Sequence, residues 1–265
     1  MKLSFSTLGC PEWSLDEVIK NAVLYKMDGV ELRGYGRQHI SPEFSSRERE
    51  EIKAKFEAKD LKIVCITGYT KFSMEDAKER EKNEKVLSLY LELCKDVGCK
   101  NVRTFIGRFP DNKNRNEVYD YIAYSINRVA HEKENSGVDI LIELHDELCT
   151  GELVKPLLDR ITAKNVGILW DVAHSWRAGE EPERTYAMVG NYIRHIHIKN
   201  EFRNKEGQIV HCLLGIGNVP IKKCRDLLMQ NGYGGYYSLE WERAHHPEMP
   251  DLEVALADYC KVMVD

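Results

Sequence analysis

The 265-residue sequence lacks any apolar run of the roughly 18 residues that a membrane-spanning helix requires. It also lacks an apolar stretch of signal-peptide length near its start, because Pro11, Glu12 and Asp16 interrupt that segment. No long block of like charge occurs: 38 Lys and Arg stand against 43 Asp and Glu, a formal net charge of -5. These absences argue against partners such as nucleic acid or a membrane, and they predict a soluble, cytoplasmic protein.

Two familiar glycine and cysteine motifs are also missing. The eight cysteines form no C-x-x-C pair and are too scattered for a disulfide framework, so we expect reduced thiols. No G-x-G-x-x-G follows the first β-rich run, where the sequence reads Gly9-Cys10-Pro11. Because a proline stands where a phosphate-binding helix would begin, an open, doubly wound nucleotide-binding sheet becomes the less favoured of two α/β folds.

Short β-rich runs instead alternate strictly with amphipathic segments along the chain. The predicted strands are 2–9, 29–34, 62–68, 101–107, 138–146, 166–175, 193–200 and 235–242. The predicted helices are 15–27, 46–59, 74–97, 116–135, 151–161, 183–189, 221–230 and 252–262, the first opened by a capping box of Ser14 and Glu17. Eight βα units in about 250 residues are typical of the closed (β/α)8 TIM barrel, so we predict one α/β barrel domain over residues 1–265.

The last four predicted strands carry charged side chains, although a strand covered on both faces should be almost continuously apolar. These side chains lie in the C-terminal half of each strand or just beyond it, at the end of a TIM barrel where catalysis takes place. Side-chain alternation turns Glu143 and His145 toward the barrel axis, while Ile140, Ile142 and Leu144 face the helices. The same alternation points the following residues inward: Asp171, His195, His197, Lys199, Ser238, Glu240 and Glu242.

Four consecutive strands therefore aim three carboxylates and one imidazole at a single point. Three carboxylates without enough counter-charge would repel one another, and a divalent cation removes that conflict. We predict one metal ion, with Mn²⁺ favoured, Mg²⁺ or Co²⁺ also suited, and Zn²⁺ a weaker alternative because no thiolate takes part. The predicted ligands are Glu143, Asp171, His197 and Glu240. His145, His195 and Lys199 would then support the ligands or contact substrate, and Glu31 would touch substrate or pair with Arg33.

This arrangement suits the removal of a proton next to a carbonyl group. A bound divalent cation would polarise the carbonyl and stabilise an enediolate. Glu143 and Glu240 come from strands that flank the other two, so one could take the proton and the other return it. Isomerisation, epimerisation and loss of a β-hydroxyl all pass through the same enediolate, and the sequence leaves the three outcomes open.

Several motifs resemble those of the xylose isomerase-like barrel superfamily of sugar phosphate isomerases and epimerases, which also includes endonuclease IV. The motifs are the S-T-L-G opening, the D-G-V-E-L of residues 28–32, I-E-L-H, D-x-x-H, H-x-K, the L-G-x-G of residues 214–217 and the C-terminal L-E-W-E. The resemblance implies that Glu143, Asp171, His197 and Glu240 are metal ligands and that the two glutamates are acid/base groups. It also implies that His174 contacts a substrate oxygen and that Arg203 holds substrate.

Three positions depart from the patterns of particular branches. Cys149 stands where ketose epimerases of this superfamily carry an acidic residue, and Asn200 replaces the aspartate of H-x-K-D, so the reacting carbon stays open. The trinuclear zinc site of endonuclease IV needs a D-x-H motif, but Ile209 replaces its aspartate two residues before His211. Strands three and four also contain no histidine, which excludes that site.

The leading hypothesis is a metal-dependent isomerase or epimerase acting on a free sugar, a sugar acid or a related polyol ketone. A metal-dependent lyase is the alternative, either a dehydratase of the inosose or dehydroshikimate type or an enzyme that cleaves a 3-keto glycoside. A barrel that binds carbohydrate without turnover is the third. The expected partner is a small-molecule carbohydrate, and a homo-oligomer is consistent with fold-level analogy.

Overall fold

A computed structural model describes residues 1–36 and 38–264. The strands are β1 (Lys2–Ser6), β2 (Gly29–Arg33), β3 (Lys62–Thr67), β4 (Asn101–Thr104), β5 (Asp139–Glu143), β6 (Val166–Asp171), β7 (Ile193–Ile198), β8 (Asn200–Arg203), β9 (Ile209–Cys212) and β10 (Tyr236–Leu239). The helices are α1 (Leu15–Leu24), α2 (Ser46–Glu57), α3 (Ala77–Val97), α4 (Arg115–Glu132), α5 (Gly151–Leu158), α6 (Val172–Arg177), α7 (Pro182–Val189), α8 (Ile221–Gln230) and α9 (Leu252–Val264).

Eight of these strands close into a parallel barrel in the order β1-β10-β7-β6-β5-β4-β3-β2. The predicted TIM barrel is therefore confirmed. The apolar face of each strand packs against the surrounding helices, and a small separate cluster of Val64, Cys65, Leu141 and Leu169 fills the barrel interior. Above this cluster the interior becomes polar, so the apolar residues support a polar site at the C-terminal ends of the strands.

Local capping sets where most helices begin. The capping box predicted for α1 is present, since Ser14 Oγ accepts a hydrogen bond from the Glu17 amide and Glu17 accepts one from the Ser14 amide. The predicted start of α3 at residue 74 is wrong, because Asp76 caps this helix from outside. The helix ends at Gly98, whose φ of 75° is the left-handed conformation that glycine adopts without strain.

A hairpin of two strands and a short helix were not predicted. Strands β8 and β9 form an antiparallel hairpin after β7, outside the barrel. The strand predicted over residues 166–175 is wrong beyond Asp171, where the short helix α6 begins. Asp171 ends the strand because its Oδ1 accepts hydrogen bonds from the amides of Ala173 and His174, at 2.9 and 3.2 Å, and so caps the helix.

All eight cysteines lie among the described residues, and each is a free thiol, as expected. Within the described part of the chain, no helix combines the length and apolar character needed to cross a bilayer.

Candidate metal centre and active site

Four side chains meet at the C-terminal end of the barrel: Glu143, Asp171, His197 and Glu240. One possible ligand atom from each lies within 4.8 Å of all the others. All four residues are buried, and none is more than 6% exposed. The sequence prediction that these groups converge is therefore reproduced by the geometry of the described residues.

Strand register explains the convergence. Asp171 of β6 lies opposite His197 of β7, and His197 lies opposite Ser238 of β10, two residues before Glu240. Leu141 and Leu169 lie two residues before Glu143 and Asp171 and belong to the interior cluster. Because side chains alternate along a strand, the two carboxylates face the same interior one layer higher.

The ring of His197 presents its two nitrogens to different groups. Its Nε2 lies 3.1 and 2.9 Å from the two carboxylate oxygens of Glu31, and its Nδ1 faces Oε1 of Glu143 at 3.4 Å and Oε1 of Glu240 at 3.2 Å. This Nδ1 and Oδ2 of Asp171 are buried polar atoms without a hydrogen-bond partner among the described residues. In its neutral form His197 presents the lone pair of Nδ1 beside the carboxylate oxygens, and a donor set of one imidazole with oxygen atoms for the rest fits a hard divalent cation.

Two buried cations among the described residues also belong to the site, so part of the counter-charge that the carboxylates need is already present. Arg103 of β4 donates from Nη1 to Oε2 of Glu143 at 2.6 Å. Lys199 Nζ donates to Oε2 of Glu240 at 2.8 Å and to Oε1 of Glu242 at 2.7 Å. It also forms an ion pair with Oδ2 of Asp171 at 2.8 Å.

The acidic groups still outnumber the cations in this region. Among the described residues, the ion pairs of the site link two permanent cations, Arg103 and Lys199, with five carboxyl groups, which are those of Glu31, Glu143, Asp171, Glu240 and Glu242. A divalent cation is therefore still favoured at this site, because it would balance the remaining excess of negative charge.

The carboxyl groups differ in their affinity for protons. Burial acts to raise the pKa of Glu143, but the charges of Arg103 and His197 outweigh it and lower this pKa to about 2. Burial likewise opposes the ionisation of Glu31 and Glu240, yet the neighbouring imidazoles hold both pKa values below the usual range. For Asp171 burial dominates over the attraction of Lys199 and raises the pKa to about 7.

Metal binding should therefore stabilise the protein more at about pH 7.5 than at about pH 5. In the metal-free protein Asp171 keeps its proton up to about pH 7, whereas the unfolded chain releases it near pH 4. The protonated Asp171 therefore makes its full contribution to the stability of the metal-free protein below about pH 4, and this contribution is lost as the pH rises toward 7. At the higher pH a bound cation would take the place of the proton. Thermal unfolding with EDTA or with Mn²⁺ at both pH values measures the effect, and an equal gain in Tm at the two pH values would contradict it.

Above the four-residue group lies a cavity of about 260 Å³. Its floor is formed by Glu143, Glu240 and Lys199, and Tyr69 and Phe105 form an aromatic wall on one side. The guanidinium of Arg103 lies 3.8 Å from the centroid of the Phe105 ring, between the wall and the floor. The cavity thus combines flat apolar surface with charged donors and acceptors, which suits a small polyhydroxylated molecule.

Two other predicted site residues, His145 and His174, lie at or next to the cavity. His145 lines the cavity and stacks between Phe105 and His174, with ring centroids 4.7 and 4.3 Å away. His174 lies in α6, where its Nε2 is 3.3 Å from Lys199 Nζ and 3.4 Å from Asp171 Oδ2. Burial and the charge of Lys199 hold the pKa of His174 well below its usual range, so this ring is neutral and can accept a hydrogen bond.

Glu31 and Arg203 do not reach the cavity. Glu31 is fully buried below it and pairs with His195 and His197 instead of Arg33. Arg203 lies at the exposed end of β8, donates to the carbonyl oxygen of Gly207 within the hairpin, and lines a separate groove with Trp176. The expectation that Arg203 faces the site is not met, because the hairpin carries its side chain away from the barrel mouth.

Sequence reasoning missed Arg103 and Phe105. Arg103 lies opposite Leu141 in the β4–β5 register, so it shares the inward face. The same alternation, applied to β4, would have turned Arg103 toward the barrel axis. A single charged residue in this strand was too weak a signal to be interpreted as part of a site. Phe105 follows directly after the strand end, where sequence alone does not distinguish a cavity wall from ordinary loop packing.

Comparisons with known proteins agree with the barrel fold. The model of the xylose isomerase-like TIM barrel family matches residues 19–259. Fructoselysine 3-epimerase of Escherichia coli O157:H7 is 20% identical over 251 residues, which cover 91% of this chain and 90% of that protein. The chain is thus similar over nearly its whole length to an epimerase that acts on a sugar derivative.

The fold is also found in solved structures that match this chain over nearly their whole length. The probable 3-DHS dehydratase AsbF, involved in petrobactin synthesis in Bacillus anthracis, has a TM-score of 0.83 at 20% identity, with 100% of this chain and 99% of that chain covered. The IolI protein, whose 1.8 Å structure contains a zinc atom, also has a TM-score of 0.83, at 19% identity, with 100% and 97% covered. Proteins that are similar to this chain thus include an epimerase, a dehydratase and a zinc-binding barrel.

Proposed function

Because the chain belongs to the xylose isomerase-like TIM barrel family, we propose that it is a metal-dependent enzyme that isomerises or epimerises a sugar or sugar derivative. The observation that carries the proposal is the convergence of Glu143, Asp171, His197 and Glu240 beneath an open cavity. The similarity to fructoselysine 3-epimerase supports a carbohydrate substrate.

The four converging side chains would hold one divalent cation. Three carboxylates and one imidazole favour Mn²⁺, with Mg²⁺ or Co²⁺ as close alternatives. Zn²⁺ is also compatible, and the zinc-containing IolI structure supports it. When bound, the cation polarises a substrate carbonyl and stabilises the negative charge that develops when the neighbouring carbon loses its proton.

Glu143 and Glu240 are the proposed acid/base groups. Each has one oxygen held by a cation, Arg103 for Glu143 and Lys199 for Glu240, so both carboxylates are fixed in orientation. Low pKa values keep both ionised, so either can accept a proton from substrate at neutral pH. The proton that the second carboxylate returns then originates in solvent.

The remaining cavity residues would bind and orient the substrate. His145 and Lys199 place nitrogen atoms at the cavity, and the neutral His174 behind them can accept a hydrogen bond from Lys199. Tyr69 and Phe105 offer flat surfaces against which the apolar face of a sugar ring can pack. Their packing would also exclude water from one side of the reacting carbon.

Solvent deuterium should enter a substrate ketose only when a divalent metal is present. We expect protein treated with EDTA to lose exchange and added Mn²⁺ to restore it, because ionisation of the carbon–hydrogen bond needs the cation. Mass spectrometry of a small panel of ketoses in D₂O measures the incorporation. Exchange that is undiminished after metal removal would contradict the proposed role of the cation.

A second candidate function, dehydration of a β-hydroxy keto acid, is favoured by Arg103. Its Nε is buried and has no hydrogen-bond partner among the described residues, and the side chain lines the cavity. A guanidinium with an unused donor suits a substrate carboxylate, and a dehydroshikimate-type acid carries one. Formation of an unsaturated product, followed by ultraviolet absorbance and without deuterium exchange into ketoses, would favour this reaction over epimerisation.

A further inference from the structure

Glu31 lies on β2, at a depth of the barrel that the cavity does not reach. Its side chain is fully buried, and it is not among the described residues that line the cavity. Arg33, two residues further along β2, directs its Nε to the hydroxyl of Tyr69 instead. Glu31 therefore cannot contact a substrate in the cavity, and its charge needs another explanation.

The carboxylate of Glu31 contacts two imidazole rings from β7. His195 Nε2 lies 2.7 Å from Oε2, and His197 Nε2 lies 2.9 Å from the same oxygen and 3.1 Å from Oε1. A carboxylate only accepts hydrogen bonds, so both Nε2 atoms must carry hydrogen. The neutral form of His197 then has its lone pair on Nδ1, the atom that faces Glu143 and Glu240.

An uncharged residue would be a less costly choice at this depth unless the charge serves the site. Glu31 adds one more anion to a region that already has an excess of carboxylates, and burial of an anion is unfavourable. A glutamine of the same size could place its carbonyl oxygen at the Oε2 position and accept from both rings, but its NH₂ group would then stand at the Oε1 position, 3.1 Å from His197 Nε2, and would oppose the N–H of that ring. Only a carboxylate offers an acceptor oxygen at both positions next to His197, and the hydrogen bond from His195 restrains Glu31 from rotating away.

We propose that Glu31, held in place by His195, is a positioning residue that fixes His197 in the orientation and tautomer that present Nδ1 to the cation. This role rests on the proposed metal-dependent function and adds a residue to it. Hydrogen bonds that the distant N–H of a metal-binding histidine donates to a carboxylate commonly orient the ring and strengthen it as a ligand. Glu31 acts on the cation through His197 and not by direct contact.

A second cation between Glu31, His195 and Cys65 is the competing explanation. These three residues also offer atoms within 4.8 Å of one another. Burial raises the pKa of the Cys65 thiol well above its usual range, which opposes the thiolate that such an ion would need. Metal stoichiometry separates the two explanations, because positioning requires one ion per chain and a second site requires two.

The Glu31→Gln variant tests the proposal without any substrate. We expect a 10- to 100-fold loss of Mn²⁺ affinity, measured by competition with a chelating dye, because the amide NH₂ group would oppose the Nε2–H of His197 and disturb the orientation or tautomer of that ring. In the Zn²⁺-loaded protein, ¹⁵N NMR of labelled histidine should show Nε2–H on His197 in the wild type and a changed tautomer at His195 or His197 in the variant. Cys65→Ser, a small change on the neighbouring strand beside Glu31, is the control and should bind Mn²⁺ as the wild type does.

Three results would overturn the assignment of Glu31. They are unchanged Mn²⁺ affinity in Glu31→Gln, an unchanged tautomer at both histidines despite weaker binding, and two ions per chain in the wild type. Circular dichroism checks that Glu31→Gln remains folded, and His195→Phe provides a second test if it does not. This variant removes only the hydrogen bond that His195 donates to Glu31, so it should weaken Mn²⁺ binding to a smaller extent. Unchanged Mn²⁺ binding by His195→Phe would count against the proposal. A wild-type protein that binds no divalent cation would overturn the proposed function as well, so the two failures can be told apart.

Discussion

The Glu143→Gln variant should lose about 10⁴-fold in kcat/KM for any ketose that the wild type converts. The substitution keeps the size of the side chain but removes the negative charge, and with it the ability to accept the substrate proton. It also leaves one fewer carboxylate to bind the cation. Initial rates at saturating Mn²⁺ separate the two effects, because loss of metal affinity alone is overcome by added metal and loss of the base is not.

Glu147→Gln is the matched control for this variant. Glu147 lies four residues further along the chain and forms a surface ion pair with Arg115 at 2.5 Å, so the same chemical change there should leave kcat/KM within about twofold. A Glu143→Gln enzyme that retains more than a tenth of wild-type activity would show that another group takes the proton. Equal carbohydrate binding by the wild type and by Glu143→Gln, with no turnover by either protein, would instead favour a barrel that only binds carbohydrate.

Removing Arg103 should produce the largest loss of stability. Arg103→Met leaves the buried carboxylate of Glu143 without its 2.6 Å partner, and breaking a buried pair from one side costs about 3–5 kcal/mol. The effect should be greatest in metal-free protein, because a bound cation also compensates Glu143. Urea unfolding in EDTA and in Mn²⁺ measures both values.

The double variant Arg103→Met/Glu143→Gln provides the control. It removes both charges, so it should recover most of the stability that Arg103→Met loses, and the difference gives the coupling energy of the pair. A double variant that is no more stable than Arg103→Met would mean that Arg103 stabilises the protein through packing on Phe105, 3.8 Å from its guanidinium, and not through the ion pair.

Parts of the fold that depend on local pattern were accessible from the sequence. The alternation of strands and helices predicted the barrel, and the Ser14–Glu17 capping box predicted the start of α1. The β8–β9 hairpin was missed because its strands are only four residues long and have no clear apolar alternation. The helix α6 was missed because its six residues continue an apolar strand without a break, and Asp171 was interpreted as a strand residue and not as a helix cap.

The sequence by itself determined which four groups point inward at the barrel mouth, because side-chain alternation is a property of each strand taken alone. Only the tertiary structure decided which groups accompany them. Arg103 meets Glu143, and Glu31 reaches the histidines of β7, through the closure and stagger of the barrel, which bring distant strands to a common depth. Arg203 lies on a hairpin outside the barrel. Its position depends on the path that the chain takes after β7, and no pattern in the neighbouring sequence predicts that path.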